Sequence, residues 1–582
     1  MINYELLLKE FGKIENCKNL EIEELKKLDY KFYKDSIVWE IQTELTFNNK
    51  NIDVILYLNF PNGFPFMSPK IFISKESYQD LKYIPHINDD LSICIFDEGL
   101  NLILPKNDYA GFIELMISKA KKIIRDAEDA EYKKREFKRE FKAYWELNYS
   151  KNDIVLNLGF HSINENSNEE IKGIKFTNNY LSNYEYFISN NDADFEKIKE
   201  YAKEHSCSFK EIDILFIENN FINPPFELTF ADTLTIVKKD NINYIKFKEL
   251  CRNNDFDCVL VVFVNTNNSS KEYYGWTYKN AEILSRKKGG NRNIFSKIDH
   301  LSNRINERKY VTRLTFDNLS FNRLQLRTTG YIETKKAIAI SGLGSVGSNL
   351  IFFLKNLPII KFNLIDKEAL SSENINRHLS GFSLLKNNKV DAIKNDLKNT
   401  NPLTEVDIRA ISVTTIIQTE VNFINDCDFH IVAIGKTMIE EFILNQVIDG
   451  KLTKPTFIFW VEPFLASGQM LFIMPNDAER ALEFIKKENY DYSVLSNSKN
   501  QQDKTYLIEG SCQTGYFPYS ASYLIQFLSS IFPYLKEHIT NNDNISKVYS
   551  WIGDKALLNS KGLVITDFGT NNSSYQLIIN DL

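Results

Sequence analysis

The chain has 582 residues, 43% of them hydrophobic and 25% charged, with a formal net charge of -7. That length implies about three to four domains of roughly 150 residues each. The composition is that of an ordinary globular protein, and its mild acidity excludes an overall electrostatic footprint for nucleic acid or an acidic membrane.

The opening residues, MINYELLLKEFGKIEN, lack a basic stretch followed by an apolar core, so no signal peptide is expected. No apolar run approaches the roughly 20 residues that cross a bilayer. Even LIFFLKNLPII is interrupted by lysine and proline. Seven cysteines, at 17, 94, 207, 251, 258, 427 and 512, form no CxxC pair. Structural zinc and a disulfide scaffold are therefore out of character, no protein metal ligand is assigned, and a cytoplasmic protein with reduced thiols is expected.

In chain order, residues 37–73 carry three strand-like runs, IVWEIQTELTF, NIDVILYLNF and SPKIFIS, separated by turns rich in Asn, Gly and Pro. Residues 112–149 contain no glycine or proline. Apolar residues recur there at helical spacing (Ile123, Ala127, Ala130, Phe137, Phe141), and the intervening charges read as a solvated helix face. Residues 1–150 are thus a small α+β domain. Residues 151–330 read as a connecting α/β domain, with strands in DIVLNLGF, EIDILFIE and DCVLVVFV and a helix in DFEKIKEYAKEH. From 331 to 582 the pattern turns βαβ: strand KAIAISG, helix 346–356, strand KFNLID, helix 385–399, then strands VDIRAIS and FHIVAIG.

The turn SGLGSVGSNL places Gly342, Gly344 and Gly347 between a strand and a helix. Glycines there permit a tight turn and close approach of a phosphate, and the helix start offers unpaired amides to the anion. Asp366 ends the next strand, where a ribose hydroxyl would lie. By itself this turn accepts either NAD or ATP. Asn374, Arg377 and Lys389 follow. Hydride transfer has no need of cations converging on phosphates, whereas adenylation does, because charge develops between the α-phosphate and the departing pyrophosphate.

This spaced set resembles the ubiquitin-activating adenylation domain of the ThiF/MoeB type, over about residues 331–535. The resemblance implies ATP with Mg2+ and a Rossmann-like fold, and it carries Gly342, Gly344, Gly347, Asp366, Asn374, Arg377 and Lys389 onto ATP-binding roles. The family's magnesium aspartate has no clear counterpart: in DCDFHIVAIGKTMIEE its place falls to Gly435 or Lys436, so either Asp428 shifts role or the metal is held mainly by ATP. The family's cross-subunit arginine corresponds to either Arg313 or Arg323, and its members pair as homodimers through this domain.

Cys512, in the polar loop IEGSCQTGYFPYSA ahead of an apolar helix, is the candidate thioester carrier after adenylation. Cys427 abuts a strand between acids and is the poorer choice. In the N-terminal domain, Phe60-Pro61, Phe64-Pro65, Pro69, His86-x-Asn88 and Ile93-Cys94-Ile95 resemble, in order, the ubiquitin-conjugating fold. That makes Cys94 the second catalytic thiol. His86 braces its loop, Asn88 is the oxyanion donor by position, and Asp108 is a candidate for orienting an amine. Asn88 lies two residues closer to the cysteine than is usual, and Ile87 replaces proline.

The order of conjugating, connecting and activating domains resembles the bacterial fusion associated with cGAS-like nucleotidyltransferases (CD-NTases) in CBASS anti-phage operons. That resemblance implies a CD-NTase C-terminus as cargo and a lysine-bearing acceptor protein. A small ubiquitin-like cargo is the alternative. Sulfur-carrier activation would not need the Cys94 domain, a NAD(P) oxidoreductase rests on the glycine turn alone, and a non-catalytic nucleotide-binding scaffold rests only on the missing aspartate.

Overall fold

A computed structural model describes residues 9–12, 16–64, 67–81, 83–88, 90–95, 109–146, 155–178, 181–218, 228–267, 270–282, 297–486, 491–496, 501, 504–508, 515–541 and 545–582. The chain divides into two compact units, residues 1–191 with 207–318, and residues 192–206 with 319–582. The architecture is mixed α/β throughout, as the sequence pattern implies.

The first unit holds two sheets. Strands β1 (Cys17–Asn19), β2 (Ile37–Phe47), β3 (Lys50–Phe60), β4 (Lys70–Ile73) and β5 (Ser92–Ile93) form an antiparallel meander in that order. The β2–β3 hairpin closes on Asn48 and Asn49, with φ of 50° and 59°, opposite the Phe47–Lys50 pair. Positive φ at both turn positions matches the right-handed strand twist, and asparagine tolerates it. Helix α1 (Tyr109–Asp126) lays Phe112, Ile113, Met116, Ala120 and Ile124 on this sheet's core.

The expected helical run over 112–149 is broken into three. Asp129 caps α2 (Ala130–Arg139) by accepting the Glu131 N–H at 2.9 Å, and Glu140 separates it from α3 (Phe141–Glu146). The charged face is not wholly solvated either, because Glu136 is buried. Phe141 and Trp145 of α3 enter the core of the second sheet beside Phe263, Tyr274 and Trp276. That sheet runs β10-β11-β12-β13-β6-β8-β7-β9. Its strands are β6 (Leu156–His161), β7 (Lys172–Asn178), β8 (Tyr186–Ser189), β9 (Ser208–Ile212), β10 (Ile214–Ile217), β11 (Leu260–Asn267), β12 (Ser270–Thr277) and β13 (Thr312–Asn318).

The second unit is built on the sheet β16-β15-β14-β17-β18-β19-β22-β23. Its members are β14 (Lys336–Ser341), β15 (Ile359–Ile365), β16 (Glu405–Arg409), β17 (Phe429–Val432), β18 (Thr456–Val461), β19 (Ser467–Ile473), β22 (Lys547–Ile552) and β23 (Leu577–Asp581). A small antiparallel pair, β20 (Leu507–Ile508) and β21 (Gly515–Tyr516), lies between β19 and β22 in sequence. The first five strands are parallel and the last three antiparallel. Helix α4 (Asp192–Glu204) packs in this unit: Tyr201 Oη donates to Asn399 at 3.0 Å, and Glu200 and Glu204 pair with Lys394 at 3.0 and 3.2 Å. Helix α5 (Ser345–Leu354) follows the glycine turn. Helix α6 (Lys389–Thr400) starts later than position 385, because residues 382–384 form a 3-10 turn and Lys386 sits at φ 72°, where a helix cannot continue. No helix among the described residues is long and apolar enough to cross a membrane.

The chain runs outward from β14 through β15 to β16, then returns to β17 on the other side of β14. A crevice opens at the carboxyl ends of strands where the order reverses in this way, and the glycine turn lies there. The adjoining central strands are locked by His430 on β17, which hydrogen-bonds Ser341 Oγ at 2.8 Å. Complete burial drives this imidazole down to about 3. Below pH 6.5 the unfolded chain takes up a proton that the folded state refuses, so stability falls with acidity. Urea unfolding of the second unit is expected to lose about 2 kcal/mol between pH 6.5 and 5 through this residue. His430→Gln, measured the same way, is expected to flatten that limb.

Candidate functional site

Gly342 leaves β14 at φ 91°, and a Cβ there would lie 2.7 Å from the Ala433 carbonyl oxygen beyond β17. A Cβ on Gly347 would lie 1.9 Å from the Gly342 carbonyl oxygen, so the first turn of α5 packs directly on the turn that precedes it. Gly344, by contrast, faces open space and, as the N-cap of α5, has no side chain to occupy the first helical amides. The amides at this helix start are therefore available to an anion, and the open side of the turn fits a phosphate. Asp366, just past β15, is fixed at the mouth: it accepts the Leu343 N–H at 2.7 Å on one oxygen and the Glu368 N–H at 2.8 Å on the other. Each oxygen keeps a lone pair for a ribose hydroxyl.

His378 and the backbone of Arg377, neither of which the sequence pattern marks, hold the turn in place. His378 accepts the Ser380 N–H on Nδ1 at 3.0 Å, so its Nε2 carries the proton and donates to the Leu343 carbonyl at 2.9 Å. Burial pushes the His378 pKa down, which keeps the ring neutral for that role. Ser345 Oγ and Asn349 Nδ2 both donate to the Arg377 carbonyl, at 2.9 and 2.8 Å. The available signal was Asn376-Arg377-His378 lying within reach of a serine-bearing helix start. Asn374 is close by, its Oδ1 accepting from Ser371 N–H and Oγ at 3.1 and 3.0 Å. The Lys389 ammonium, buried at the start of α6, pairs with Glu368 at 2.7 Å and holds that carboxyl below the usual range. The glycines, Asp366, Asn374, Arg377 and Lys389 thus gather at one edge of the sheet.

Asp428 does not join them. Its Oδ2 accepts the Ala337 N–H at 2.7 Å, at the start of β14 and the opposite end of the sheet. Where the sequence resemblance leads one to expect a magnesium aspartate, Gly435 takes φ 66° and Lys436 caps α7 (Thr437–Ile448). The carboxyl at that loop is Glu440, which burial pushes up to about 7 against the backbone N–H groups of Lys436 and Gly435. Arg313 is buried in the first unit, donating to the Trp145 carbonyl at 3.0 Å with its guanidinium 5.0 Å from the Trp145 ring. It is a core residue. Arg323 is exposed on the helix Phe321–Thr329.

Cys512 lies outside the described residues. The strands on either side of its loop, β20 and β21, pair Leu507 with Tyr516 and Ile508 with Gly515. Just beyond, Arg377 donates to the Phe517 carbonyl at 3.3 Å and lies 5.0 Å over the Tyr519 ring. Cys427 is buried, and burial more than the flanking acids pushes its thiol up to about 12.

Cys94 is exposed at the end of a tight hairpin. Ile87 and Ile93 bridge and turn into the core, Asn88 N–H donates to the Ser92 carbonyl at 2.8 Å, and Cys94 N–H donates to the His86 carbonyl at 2.7 Å. His86 and Cys94 are therefore a directly opposed pair with side chains on one face. Asn88 shares that face, but its Nδ2 donates to Ser92 Oγ at 2.9 Å. His86 and Leu91 hold φ of 65° and 64°, so the hairpin is strained at both ends. A cavity of about 500 Å³ opens here, lined by His86, Asn88, Cys94, Glu140, Tyr144 and Glu146 among others. His86 Nδ1 meets Glu140 at 2.8 Å and Nε2 meets Glu136 at 3.6 Å. Burial disfavours the charged ring, yet the two carboxylates prevail and raise its pKa. Asp108 lies outside the described residues.

Residues 19–154 match the prokaryotic E2 family B, and residues 319–544 match the ThiF family. No curated protein matches the chain. Among solved structures, selenomethionine PaaA is 17% identical over 44% of this chain and 75% of its own, with a TM-score of 0.29. E. coli MccB with MccA-N7isoASN is 12% identical over 44% of this chain and 66% of its own, at 0.29. E. coli MccB with ATP is 11% identical over 42% and 65%, at 0.26. The two family matches indicate an ATP-dependent transferase that is like the ubiquitin-activating enzymes in one domain and the ubiquitin-conjugating enzymes in another.

Gly347→Ala is expected to destabilise the second unit by about 1–3 kcal/mol, because backbone rather than a flexible side chain blocks the new methyl. It should also abolish ATP binding. Urea unfolding and titration with a fluorescent ATP analogue check the two effects separately.

Proposed function

We propose that this transferase, which joins a prokaryotic E2 family B domain to a ThiF-family domain in one chain, attaches the C-terminus of one protein to a lysine of another. The observation that carries the reading is the pairing, in a single polypeptide, of a glycine-lined phosphate crevice with an exposed thiol in a cavity.

The α5 amides and Gly344 hold the ATP phosphates, Asp366 holds the ribose, and Arg377 and Lys389 meet the charge that builds as the cargo carboxylate attacks the α-phosphate and pyrophosphate leaves. Asn374 steadies the same phosphates. Mg2+ enters with ATP, with no protein ligand assigned. The Cys512 thiolate then attacks the acyl carbon and releases AMP. Cys94 takes the acyl group by thioester exchange, and a lysine amine displaces the Cys94 thiolate to give an isopeptide bond. Carrying both thiols on one chain raises the effective concentration of the exchange. Asn88, already bonded to Ser92, would serve the oxyanion only by exchanging that partner.

The cargo is the C-terminus of a CD-NTase, conjugated in the bacterial cytoplasm as part of CBASS anti-phage defence, and the enzyme acts as a homodimer through the ThiF-family domain, with Arg323 reaching its partner. Support for the cargo comes from the domain order and from the GSCQTGYFPYSA loop. The test is intact mass under non-reducing conditions, after mixing the protein with Mg-ATP and the product of a neighbouring nucleotidyltransferase gene. A thiol-sensitive gain equal to that partner, lost in Cys512→Ala, is expected. No gain with it, but a gain with a small ubiquitin-like protein, would transfer the mechanism to that cargo.

Asp366→Ala and Arg377→Ala are each expected to lower cargo-dependent ATP–pyrophosphate exchange by at least about 100-fold. Cys512→Ala keeps the exchange but forms no thioester. Cys94→Ala accumulates cargo on Cys512, and undiminished isopeptide product from that variant would remove Cys94 from the pathway.

A further inference from the structure

The Cys94 hairpin does not stand on its own sheet alone. His86 N–H donates to Tyr144 Oη at 2.8 Å, and that hydroxyl donates in turn to Glu140 at 2.8 Å, the carboxylate that holds the His86 ring. One phenol therefore fixes both the backbone and, through Glu140, the ring of the residue opposite Cys94. Tyr144 belongs to α3, whose neighbouring residue faces elsewhere: Trp145 Nε1 donates to the Leu314 carbonyl on β13 at 3.0 Å, and its own carbonyl accepts from Arg313 at 3.0 Å. Phe141, one turn earlier, stacks on Trp145 and meets Tyr274 edge-on. A six-residue helix cannot hold a conformation by itself. The second sheet holds it.

We propose that Tyr144 is a positioning residue for Cys94, acting through His86, and that α3 makes the core of the second sheet part of the conjugating site. The clamp seats the His86 ring on the same face as the Cys94 sulfur, where the ring, when protonated between its two carboxylates, favours the thiolate that accepts and releases an acyl group. The groups facing His86 are Glu136, Arg139 and Glu140 at the end of α2, Lys142, Tyr144 and Glu146 on α3, and Cys94 on its own hairpin, with Arg135 bonded to Glu136. The proposal rests on Cys94 being the conjugating thiol for its purpose, but its test needs no cargo.

The experiment alkylates the full-length protein with iodoacetamide across pH 6 to 10 and follows each cysteine by peptide mass spectrometry. Tyr144→Phe keeps the ring that packs edge-on against Phe137 and removes only the hydroxyl. It is expected to raise the pH midpoint of Cys94 alkylation by at least about half a unit, a threefold loss of reactivity near neutrality. His86→Asn, tolerated at positive φ, should raise it at least as far. If Tyr144 acts through His86, the double variant moves no further than His86→Asn alone. Cys251 and Cys258, buried by the second sheet, report whether that sheet stays folded. An unmoved midpoint in Tyr144→Phe with both buried thiols protected overturns the proposal. Additive shifts in the double variant overturn it, and so does alkylation of Cys251 or Cys258 in Tyr144→Phe, which would make Tyr144 a core residue only. Failure to load cargo on Cys94 in the wild type, with the alkylation results as expected, would instead remove the functional reading and leave the clamp.

Discussion

The backbone contact between Gly347 and Gly342 sets the geometry of the second unit. A 1.9 Å clearance for a virtual Cβ leaves no room for any side chain, so α5 starts against the strand end from which it departs. That closeness puts the helix amides at the carboxyl edge of β14, beside the gap where the strand order reverses. Leu343 sits between the two glycines, and its N–H and C=O are both claimed, by Asp366 and by His378. A turn whose polar groups are satisfied by fixed neighbours presents its remaining amides without reorganising, which is what stabilisation of a developing phosphate charge requires.

The cations around that turn are differently placed. Lys389 is buried and already paired with Glu368, while Arg377 is half-exposed and rests on Phe517 and Tyr519. A buried lysine keeps its charge only with a carboxylate beside it. Glu368, half-exposed itself, can share the ammonium, which has three donors, with a phosphate. Arg377 links the glycine turn to Phe517 and Tyr519, so the guanidinium proposed to bind ATP also touches the chain that follows the proposed thioester carrier, Cys512.

At Cys94 the physical problem is the reverse. A thiol needs exposure to exchange acyl groups, and an exposed hairpin with two residues at positive φ needs outside support to hold one shape. The support is ionic and hydrogen-bonded: Glu140, Glu136 and Tyr144 converge on one histidine. The raised pKa of His86 and the lowered pKa of Glu140 describe the same pair. The histidine's contribution is complete below its unfolded pKa and fades as pH rises through its folded value. The carboxylate's contribution is present above its own unfolded value and fades as pH falls through the folded one. The brace is thus firmest between the unfolded carboxylate and unfolded imidazole values, in mildly acidic solution, and weakens on the alkaline side as the ring loses its proton.

Much of this was legible in the residues. Apolar runs rich in strand formers in IVWEIQTELTF and NIDVILYLNF marked β2 and β3, the second of which is buried on both faces from Leu56 to Phe60. The glycine spacing gave the turn, since the exclusion of a Cβ is a local demand that few residues can meet. What stayed hidden depends on partners distant in sequence. Asp428 looked available for a metal until its pairing with Ala337 placed it at the wrong end of the sheet. Arg313 and Arg323 were equivalent as letters, and only burial against Trp145 separated them. Glu136 and Glu140 looked like members of a solvated charge run, and Tyr144 like another aromatic on a helix. By itself the sequence determined strands such as β2 and β14, the existence though not the breaks of the helical stretch after residue 112, and which turn can approach a phosphate, because those follow from residue type, side-chain period and steric exclusion. Tertiary structure alone decided which charges are buried, which carboxylates face His86 and which helix face supports Cys94, because burial and electrostatic pairing are properties of neighbours brought together across 50 to 170 positions of chain.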